Sequence, residues 1–399
     1  MGIVSSIGHD IAGFAASLST GKAGIGRLPD GTIAAAIEGF DVDALISDKA
    51  ALRLARRAPF TIQTSIVATK QAWQQAGLQD GAISSERIGL IVAGHNTTQN
   101  YVYALSPGFR QNPEYLSPRY ALQFMDSNQL GVLSELFGVR GEGFVTGGAS
   151  ASGNVGIIHG ARLIQAGIAD ACLVVGVVAD LSPMEIRGFQ TVGAMGGKHF
   201  HDRPDQACRP FDSRHEGFIH GQAAACVVLE AAASVEARKR RSLATLLGGS
   251  IVLHATASPD PDVEGEARAM RGALRQSGID AARIDYVNTH GTSSPLGDKV
   301  EIAAIDRVFG GRFPDVWLNA TKGLTGHCLS SAGVVELVAC VLQMQQGFLH
   351  PNKNLEAPID GRARFCGAEA VRTEIDVAMS NSFGFGGINT SIVLQRARP

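Results

Sequence analysis

The sequence predicts an α/β protein made of two related halves, and three observations lead to this class. Two segments with the same glycine spacing occur, one in each half of the chain, and each is typical of a buried helix. Short continuous apolar runs, typical of buried strands, are distributed along the chain. Glycine is abundant, at 48 of 399 residues, and the glycines gather in loops that follow the apolar runs. Loops of this kind are typical of sites built from backbone groups.

The repeated segments are residues 150–167 and residues 330–347. In each, one glycine near the start and one at the end enclose apolar side chains at helical spacing, among them Val155 and Ile158 in the first copy. Each segment follows a Gly-rich turn, so the repeat predicts two helix N-termini near one common site. From this pattern alone, two unrelated buried helices that share a glycine spacing remain the alternative.

Five apolar runs are the candidate buried strands. The longest is residues 171–178, Ala-Cys-Leu-Val-Val-Gly-Val-Val, which is continuous, as expected for a strand covered on both faces. The other candidate strands are residues 88–93, 224–229, 286–288 and 391–394. Residues 197–216, which follow the longest run, are rich in His, Arg, Asp and Pro and predict a long loop.

The composition limits the class of function. With 45% hydrophobic residues the chain can bury a large core, as one α/β domain or two fused halves. A net charge of -2 gives no sign of nucleic-acid binding. Six cysteines without paired spacing indicate reduced, buried thiols of a cytoplasmic protein and no metal site. No signal peptide and no membrane-spanning run is visible, so we expect no membrane association.

Four loop motifs contain the residues that could take part in catalysis. Residues 147–153 read Gly-Gly-Ala-Ser-Ala-Ser-Gly, and residues 381–387 read Asn-Ser-Phe-Gly-Phe-Gly-Gly. Residues 289–298 and residues 322–327 each place a histidine, His290 and His327, in a glycine-containing loop. Together the four motifs resemble the signature segments of the ketosynthases, the condensing enzymes of fatty acid and polyketide synthesis.

The resemblance extends over nearly the whole chain and implies the thiolase fold, a duplicated five-layered αβαβα architecture. Its first half would be residues 1–235 and its second half residues 236–399. In ketosynthases the position of Ser150 holds the cysteine that carries the acyl group. The chain therefore resembles a ketosynthase that has lost its thiol and kept both histidines. Free-standing relatives with serine at this position belong to the β-branching cassettes of polyketide pathways.

The resemblance also implies roles for individual residues. His290 and His327 would donate N–H groups to the thioester oxygen as malonyl loses CO2 and an enolate develops. Lys322 would order the site through its charge, although a solvated loop lysine is the alternative. Glu301 would belong to the same network, where a carboxylate could pair with Lys322.

Three further positions match residues that hold substrate in ketosynthases. Thr292 and Ser294 match two hydroxyl positions that bind a phosphopantetheine arm. The backbone N–H of Phe385 would complete an oxyanion hole with the N–H of Ser150, and the glycines around Phe385 would permit the tight turn. The basic segment of residues 234–242 predicts a solvated connector that could also attract an acidic carrier protein.

Ser150 itself permits more than one interpretation. A helix N-terminus lowers the pKa of a thiol, but the same field cannot produce a useful alkoxide from serine. Serine could still react if a neighbouring base removed its proton, or it could merely cap the helix. Residues 148–152 are also a near match to the Gly-x-Ser-x-Gly elbow of hydrolases, with Ser152 in place of the last glycine.

The sequence thus predicts a malonyl-[acyl-carrier-protein] decarboxylase that needs no metal and no cofactor other than the carrier's phosphopantetheine. Its expected partners are an acyl carrier protein, a second copy in a homodimer, and a synthase resembling hydroxymethylglutaryl-CoA synthase. Two alternatives remain from the sequence. One is a non-catalytic ketosynthase-like partner subunit, and the other is an acyltransferase or hydrolase that uses Ser150 as its nucleophile.

Overall fold

The computed structural model describes residues 1–397, in which strands and helices alternate along most of the chain. The strands are β1 (Gly2–Ser5), β2 (Gly26–Arg27), β3 (Ile33–Ala35), β4 (Ile88–Ala93), β5 (Gly143–Thr146), β6 (Ala171–Gly176), β7 (His220–Gly221), β8 (Ala223–Glu230), β9 (Ala244–Leu253), β10 (Tyr286–Asn288), β11 (Trp317–Asn319), β12 (Phe348–Leu349), β13 (Arg364–Phe365), β14 (Val371–Arg372), β15 (Val377–Gly384) and β16 (Ile388–Arg396). The α-helices are α1 (Ile11–Thr20), α2 (Val42–Leu45), α3 (Lys49–Ala55), α4 (Phe60–Ala76), α5 (Gln99–Gln111), α6 (Tyr120–Gln123), α7 (Ser127–Phe137), α8 (Ser152–Gln165), α9 (Pro183–Thr191), α10 (Ala232–Ala237), α11 (Val263–Ser277), α12 (Pro295–Phe309), α13 (Lys322–Thr325) and α14 (Ala332–Gln346).

Two sheets hold most of the strands. The first has the order β1-β8-β6-β4-β5, and its strands all come from the N-terminal part of the chain. The second has the order β13-β11-β10-β15-β16-β9, and its strands all come from the C-terminal part. The five runs predicted as buried strands become β4, β6, β8, β10 and β16, so these predictions are confirmed.

The sheets and helices form five layers. Helices α4 and α7 cover the outer face of the first sheet, and α11 and α12 form the layer outside the second. Helices α8 and α14 lie between the two sheets and contact both of them. The order is therefore αβαβα, as the resemblance implied. Within residues 1–397, no helix is both long and apolar enough to cross a membrane.

The internal repeat is visible in the backbone of the two central helices. The single 3₁₀ turns Ala149–Ala151 and Leu329–Ser331 lead into α8 and α14. Ala149 has a φ of 48° and Leu329 a φ of 49°, a left-handed conformation that costs free energy in residues with a Cβ atom. The same strained geometry therefore recurs in the second copy of the repeat.

Close packing joins the two helices at their first turns. A Cβ atom on Gly153 would lie 2.6 Å from the backbone nitrogen of Val334, and one on Gly333 would lie 2.6 Å from that of Asn154. Both distances are far below van der Waals contact, so only glycine permits this approach. The contact places the N-termini of both helices at one site.

The sequence-based predictions for two polar segments had different outcomes. Residues 197–216 form the predicted loop, with short 3₁₀ turns at Lys198–Phe200 and Pro204–Gln206. The prediction of a solvated connector at residues 234–242 is wrong for Arg238, whose side chain is only 6% exposed. Its guanidinium pairs with Glu230 at 2.9 Å and donates to the backbone oxygens of Ala76 and Gly77 at the end of α4.

Candidate active site

Ser150 lies in the turn between β5 and α8, next to the strained residue Ala149. Its Oγ is 2.9 Å from Nε2 of His327, which comes from the other half of the chain. The hydroxyl of Ser382, on β15, donates to the backbone oxygen of Ser150 at 3.1 Å. Ser150 is half-buried, and the two contacts fix its turn against the second sheet.

His327 is 3% exposed and follows the short helix α13. Burial, together with the charges of Lys322 and His220, lowers the pKa of His327 well below its usual value, so the imidazole is neutral. The backbone N–H of Leu329 donates to Nδ1 at 3.3 Å. A neutral imidazole that accepts at Nδ1 carries its proton on Nε2. The Nε2–H group therefore donates toward Ser150 Oγ and the cavity.

His290 lies beside His327, with 5.5 Å between the two ring centroids. Burial, Lys322 and His327 together lower the pKa of His290 well below its usual value. Nζ of Lys322 lies 3.4 Å from Nδ1 of His290. Because an ammonium group can only donate, Nδ1 accepts and the proton of His290 is on Nε2. The site thus contains two neutral imidazoles in the same tautomer.

Lys322 is 1% exposed and pairs with Glu336 of α14, with 2.5 Å between Nζ and Oε1. The predicted pairing of Lys322 with Glu301 is therefore wrong. Nζ also donates to the backbone oxygen of His290 at 2.5 Å, so the ammonium holds the His290 loop. Burial raises the pKa of Glu336 to about 7, against the opposing effect of Lys322. Lys322 is not a solvated loop lysine.

Glu301 holds the His290 loop from the other side. Its Oε1 accepts from the backbone N–H of His290 at 2.7 Å, and its Oε2 accepts from that of Gly291 at 2.8 Å. Asn381 adds a longer contact of 3.3 Å to Oε1. Burial raises the pKa of Glu301 to about 7, although the backbone hydrogen bonds and Lys322 act to lower it. Glu301 thus acts on His290 through the backbone.

The two predicted oxyanion-hole residues, Ser150 and Phe385, lie in two turns that pack closely against each other. A Cβ on Gly384 would lie 2.4 Å from the backbone oxygen of Gly148, so the turn that carries Phe385 packs directly on the turn that carries Ser150. The Phe385 ring is 42% exposed and packs near the ring of Phe189. The role of the two backbone N–H groups stays a prediction.

The predicted pantetheine-binding hydroxyls precede α12. Ser294 is the N-cap of this helix, and its Oγ accepts from the backbone N–H of Gly297. The hydroxyl proton of Ser294 remains available to a ligand. Thr292 is largely buried two residues earlier, and both residues line the cavity that contains the histidines.

One cavity of about 310 Å³ joins these groups. Of the predicted site residues, those that line it are Ser150, His290, Thr292, Ser294, Glu301, His327 and Phe385. Lys322 lies next to His290 instead. Another part of the wall comes from α5, α9 and the loops before them, and it combines the polar residues Asn96, Gln99, Asp180 and Glu185 with the apolar residues Ala179, Leu181 and Phe189. Burial raises the pKa of Asp180 in this wall.

The sequence analysis missed three buried carboxyl groups around the site. Glu336 pairs with Lys322, and Asp298 accepts from the backbone N–H groups of Phe211 and Ser293. Glu266 lines the cavity from α11. A signal was present for Glu336, since it is the one charged residue in the apolar run of α14. A buried charge of this kind requires a partner.

Both halves of the chain match known sequence families. Residues 1–234 match the beta-ketoacyl synthase N-terminal domain, and residues 243–356 match the beta-ketoacyl synthase C-terminal domain. A protein of Bacillus subtilis (strain 168), the polyketide biosynthesis malonyl-ACP decarboxylase PksF, is 36% identical over 402 residues, which cover 99% of this chain and 95% of PksF. The 3-oxoacyl-[acyl-carrier-protein] synthase 2 of Coxiella burnetii is 33% identical over 412 residues, which cover 99% of this chain and 97% of that protein.

The architecture is also found in solved structures. A beta-ketoacyl synthase from Burkholderia phymatum STM815 superposes with a TM-score of 0.88 and 27% sequence identity, over 100% of this chain and 98% of that one. The sequence matches span both halves, and the superposition includes both sheets and the helices between them. With its duplicated αβαβα fold and its two histidine loops, the chain belongs to the β-ketoacyl synthase family.

Proposed function

We propose that this protein decarboxylates malonyl-[acyl-carrier protein] to acetyl-[acyl-carrier protein] and does not condense acyl groups. The observation that carries the proposal is the pair of neutral histidines, each with its proton on Nε2, in a cavity that Ser150 lines and, within residues 1–397, no cysteine lines. The similarity to PksF, which is named a malonyl-ACP decarboxylase, supports it.

The chemistry requires stabilisation of one developing charge. Cleavage of the bond between Cα and the malonyl carboxylate releases CO2 and moves the electron pair to the thioester oxygen. The Nε2–H groups of His290 and His327 donate to this oxygen and stabilise the enolate. Protonation of the enolate at Cα by water then gives the acetyl thioester, and each turnover consumes one proton. The protein's own N–H donors suffice, so the proposal requires no metal or further cofactor.

The state of His327 argues against Ser150 as a nucleophile. A base that activates serine must present an unprotonated nitrogen to its hydroxyl. Here the nitrogen that faces Ser150 Oγ is Nε2, which carries the proton because Nδ1 accepts from Leu329. Ser150 Oγ is therefore an acceptor in this contact. All six cysteines are buried elsewhere, so no thiol replaces the serine.

The histidine pair also bears on whether the protein is catalytic. A non-catalytic partner subunit, the remaining alternative, has no need for the two ordered histidines.

The proposal extends to the partners of the reaction. The substrate would arrive on the phosphopantetheine arm of an acyl carrier protein, with Thr292 and Ser294 along its path. The acetyl product would serve polyketide β-branching, where a synthase resembling hydroxymethylglutaryl-CoA synthase adds it to a β-keto chain. Six free cysteines support a cytoplasmic location for this exchange.

We also propose a homodimer that pairs the first sheet across a two-fold axis. Strand β6 lies inside this sheet, between β8 and β4, so it cannot itself form the pairing. Of the two edge strands, β1 is buried along its length, whereas β5 is half-buried to exposed. Exposed edges of this kind are normally covered in native proteins. Sedimentation of the wild type and of a Val145→Pro variant tests this, since proline removes an edge hydrogen-bond donor.

The test of the activity uses malonyl-loaded carrier protein incubated with this protein alone. Intact-mass analysis of both proteins follows the reaction. We expect the carrier to lose one CO2 while the mass of the enzyme stays unchanged. An unchanged carrier would favour the non-catalytic partner subunit, and an acyl adduct on the enzyme would favour the serine nucleophile.

A further inference from the structure

Glu266 is a buried carboxyl group that the proposed reaction does not use. It lies in the first turns of α11, is 1% exposed, and lines the same cavity as the two histidines. Its Oε2 is buried and has no hydrogen-bond partner within residues 1–397. Buried polar atoms in proteins nearly always have partners. An unpartnered carboxyl in a cavity wall therefore indicates a ligand that supplies the missing contact.

The charges around Glu266 decide which kind of contact it can make. Burial first, and then the negative charges of Glu301, Asp262 and Asp298, raise the pKa of Glu266 well above its usual value. These acids lie on α12 and at the start of α11. On the β9 side, His254 lines the same cavity, and its Nδ1 contacts the side chain of Asn389.

A neutral carboxyl group carries one O–H donor and therefore requires an acceptor. The hydroxyls of Thr292 and Ser294 line the same cavity as Glu266, and Asp298 lies beneath the loop that carries them. A pantetheine arm held by these hydroxyls has two amide carbonyl groups, and both are hydrogen-bond acceptors. A wall that offers the arm hydroxyl groups and one neutral acid matches this amide chemistry.

We propose that the carboxyl group of Glu266 donates a hydrogen bond to an amide carbonyl of the pantetheine arm and so helps to position the thioester beneath the histidines. The inference rests on the proposed function only in so far as the substrate arrives on phosphopantetheine. Glu266 acts as a positioning residue, since it does not contact the bonds that break. If it ionised, it would lose its donor and place a further negative charge beside Glu301, Asp262 and Asp298.

The experiment measures, by calorimetry at several pH values, equilibrium binding of acetyl-pantetheine and of malonyl-pantetheine, the latter with an amide in place of the thioester so that it keeps its carboxylate. We expect Glu266→Ala to weaken the binding of both ligands about tenfold, the size of one neutral hydrogen bond. Glu266→Gln keeps a neutral donor and should bind within about twofold of the wild type. For the wild type we expect binding to weaken as pH rises and Glu266 ionises, whereas the Glu266→Gln protein should lose this dependence. Glu264→Gln, on the exposed face of the same helix, is the matched control and should change nothing.

Steady-state kinetics on malonyl-loaded carrier protein provides a second readout. A positioning role through the arm predicts a higher KM for Glu266→Ala with kcat retained. Unchanged binding in Glu266→Ala would overturn the proposal. It would also be overturned if only malonyl-pantetheine lost affinity, because Glu266 would then face the malonyl carboxylate. Wild-type protein that binds the arm through Glu266 but releases no CO2 would refute the proposed function and leave this inference standing.

Discussion

Ser150 and Ser330 occupy equivalent positions in the two halves of the chain. Each follows a residue with the same left-handed φ and lies in a 3₁₀ turn that leads into a central helix. Both line the cavity, but only the turn of Ser150 brings a hydroxyl to His327. The second half instead supplies both histidines, Lys322 and Glu336.

The two halves share a backbone geometry but do not share the side chains of the site. The repeat fixes the backbone, through the glycine contact between α8 and α14 and the two strained turns. The two histidines and the groups that hold them, Lys322, Glu301 and Glu336, are not duplicated and lie in the second half. If this division is correct, changes in the second half should have large effects, and a change at Ser150 should have a small one.

The largest effect is expected from Lys322→Met. The change leaves Glu336 buried without its partner, which we expect to lower the free energy of unfolding by about 3–5 kcal/mol. Urea denaturation measures this. Lys322→Met combined with Glu336→Leu removes both charges and should recover most of the stability without recovering activity. A stable single variant would show that the pair does not hold the second half together.

Next in size are His290→Ala and His327→Ala. Each removes one N–H donor to the developing enolate, and we expect each to lower the rate of CO2 release about 10²–10³-fold. The rate is measured on malonyl-loaded carrier protein at saturating concentration. His199→Ala, at an exposed histidine, is the control and should retain full activity. Near-normal rates in both active-site variants would contradict the proposed mechanism.

The contact between the halves is tested by Gly153→Ala. The new Cβ would lie 2.6 Å from the backbone of Val334, so we expect a loss of about 1–3 kcal/mol in the free energy of unfolding. Gly131→Ala in α7, where nothing lies within 4 Å, should instead stabilise the protein by about 0.5–1 kcal/mol. Equal effects of the two changes would mean that the glycine contact is not close.

A smaller effect is expected from Glu266→Gln, and it depends on pH. Glu266 has a higher pKa in the folded protein than its usual value of 4.5, so the folded state holds this proton more tightly. The stability that this proton contributes is fully present below about pH 4.5 and is lost as pH rises. The glutamine variant has no carboxyl group at this position, so its stability does not fall with pH for this reason. The stability of the variant relative to the wild type, measured by thermal unfolding, should therefore increase as pH rises. A difference in stability that stayed constant with pH would contradict the raised pKa.

The buried strands and the two central helices could be predicted from the sequence, because burial determines the pattern of apolar residues and glycines in each. Continuous apolar runs predicted β4, β6 and β8, and the glycine spacing predicted α8 and α14, since both signals report local geometry. The position of Lys322 in the site followed from the family motif. The partner of Lys322 could not be predicted from that motif, because the choice between Glu301 and Glu336 depends on how α14 crosses the His290 loop.

Other features depend on contacts that no local pattern contains. The tautomer of His327 follows from the N–H of Leu329, whose direction is set by a strained φ. Arg238 is buried because its guanidinium lies between Glu230 and the end of α4, although its segment is basic and polar. Glu266 was missed, although it lies on the same buried face of α11 as Ala269 and Met270, and only the cavity indicates why an unpaired acid lies there.

The most direct test of the account is the rate of CO2 release by Ser150→Ala on malonyl-loaded carrier protein. If the second half carries out the chemistry, the rate should be within a few-fold of the wild type, with no acyl adduct on either protein. A fall to the level of His327→Ala would contradict it, because Ser150 would then take part in the bond-breaking step.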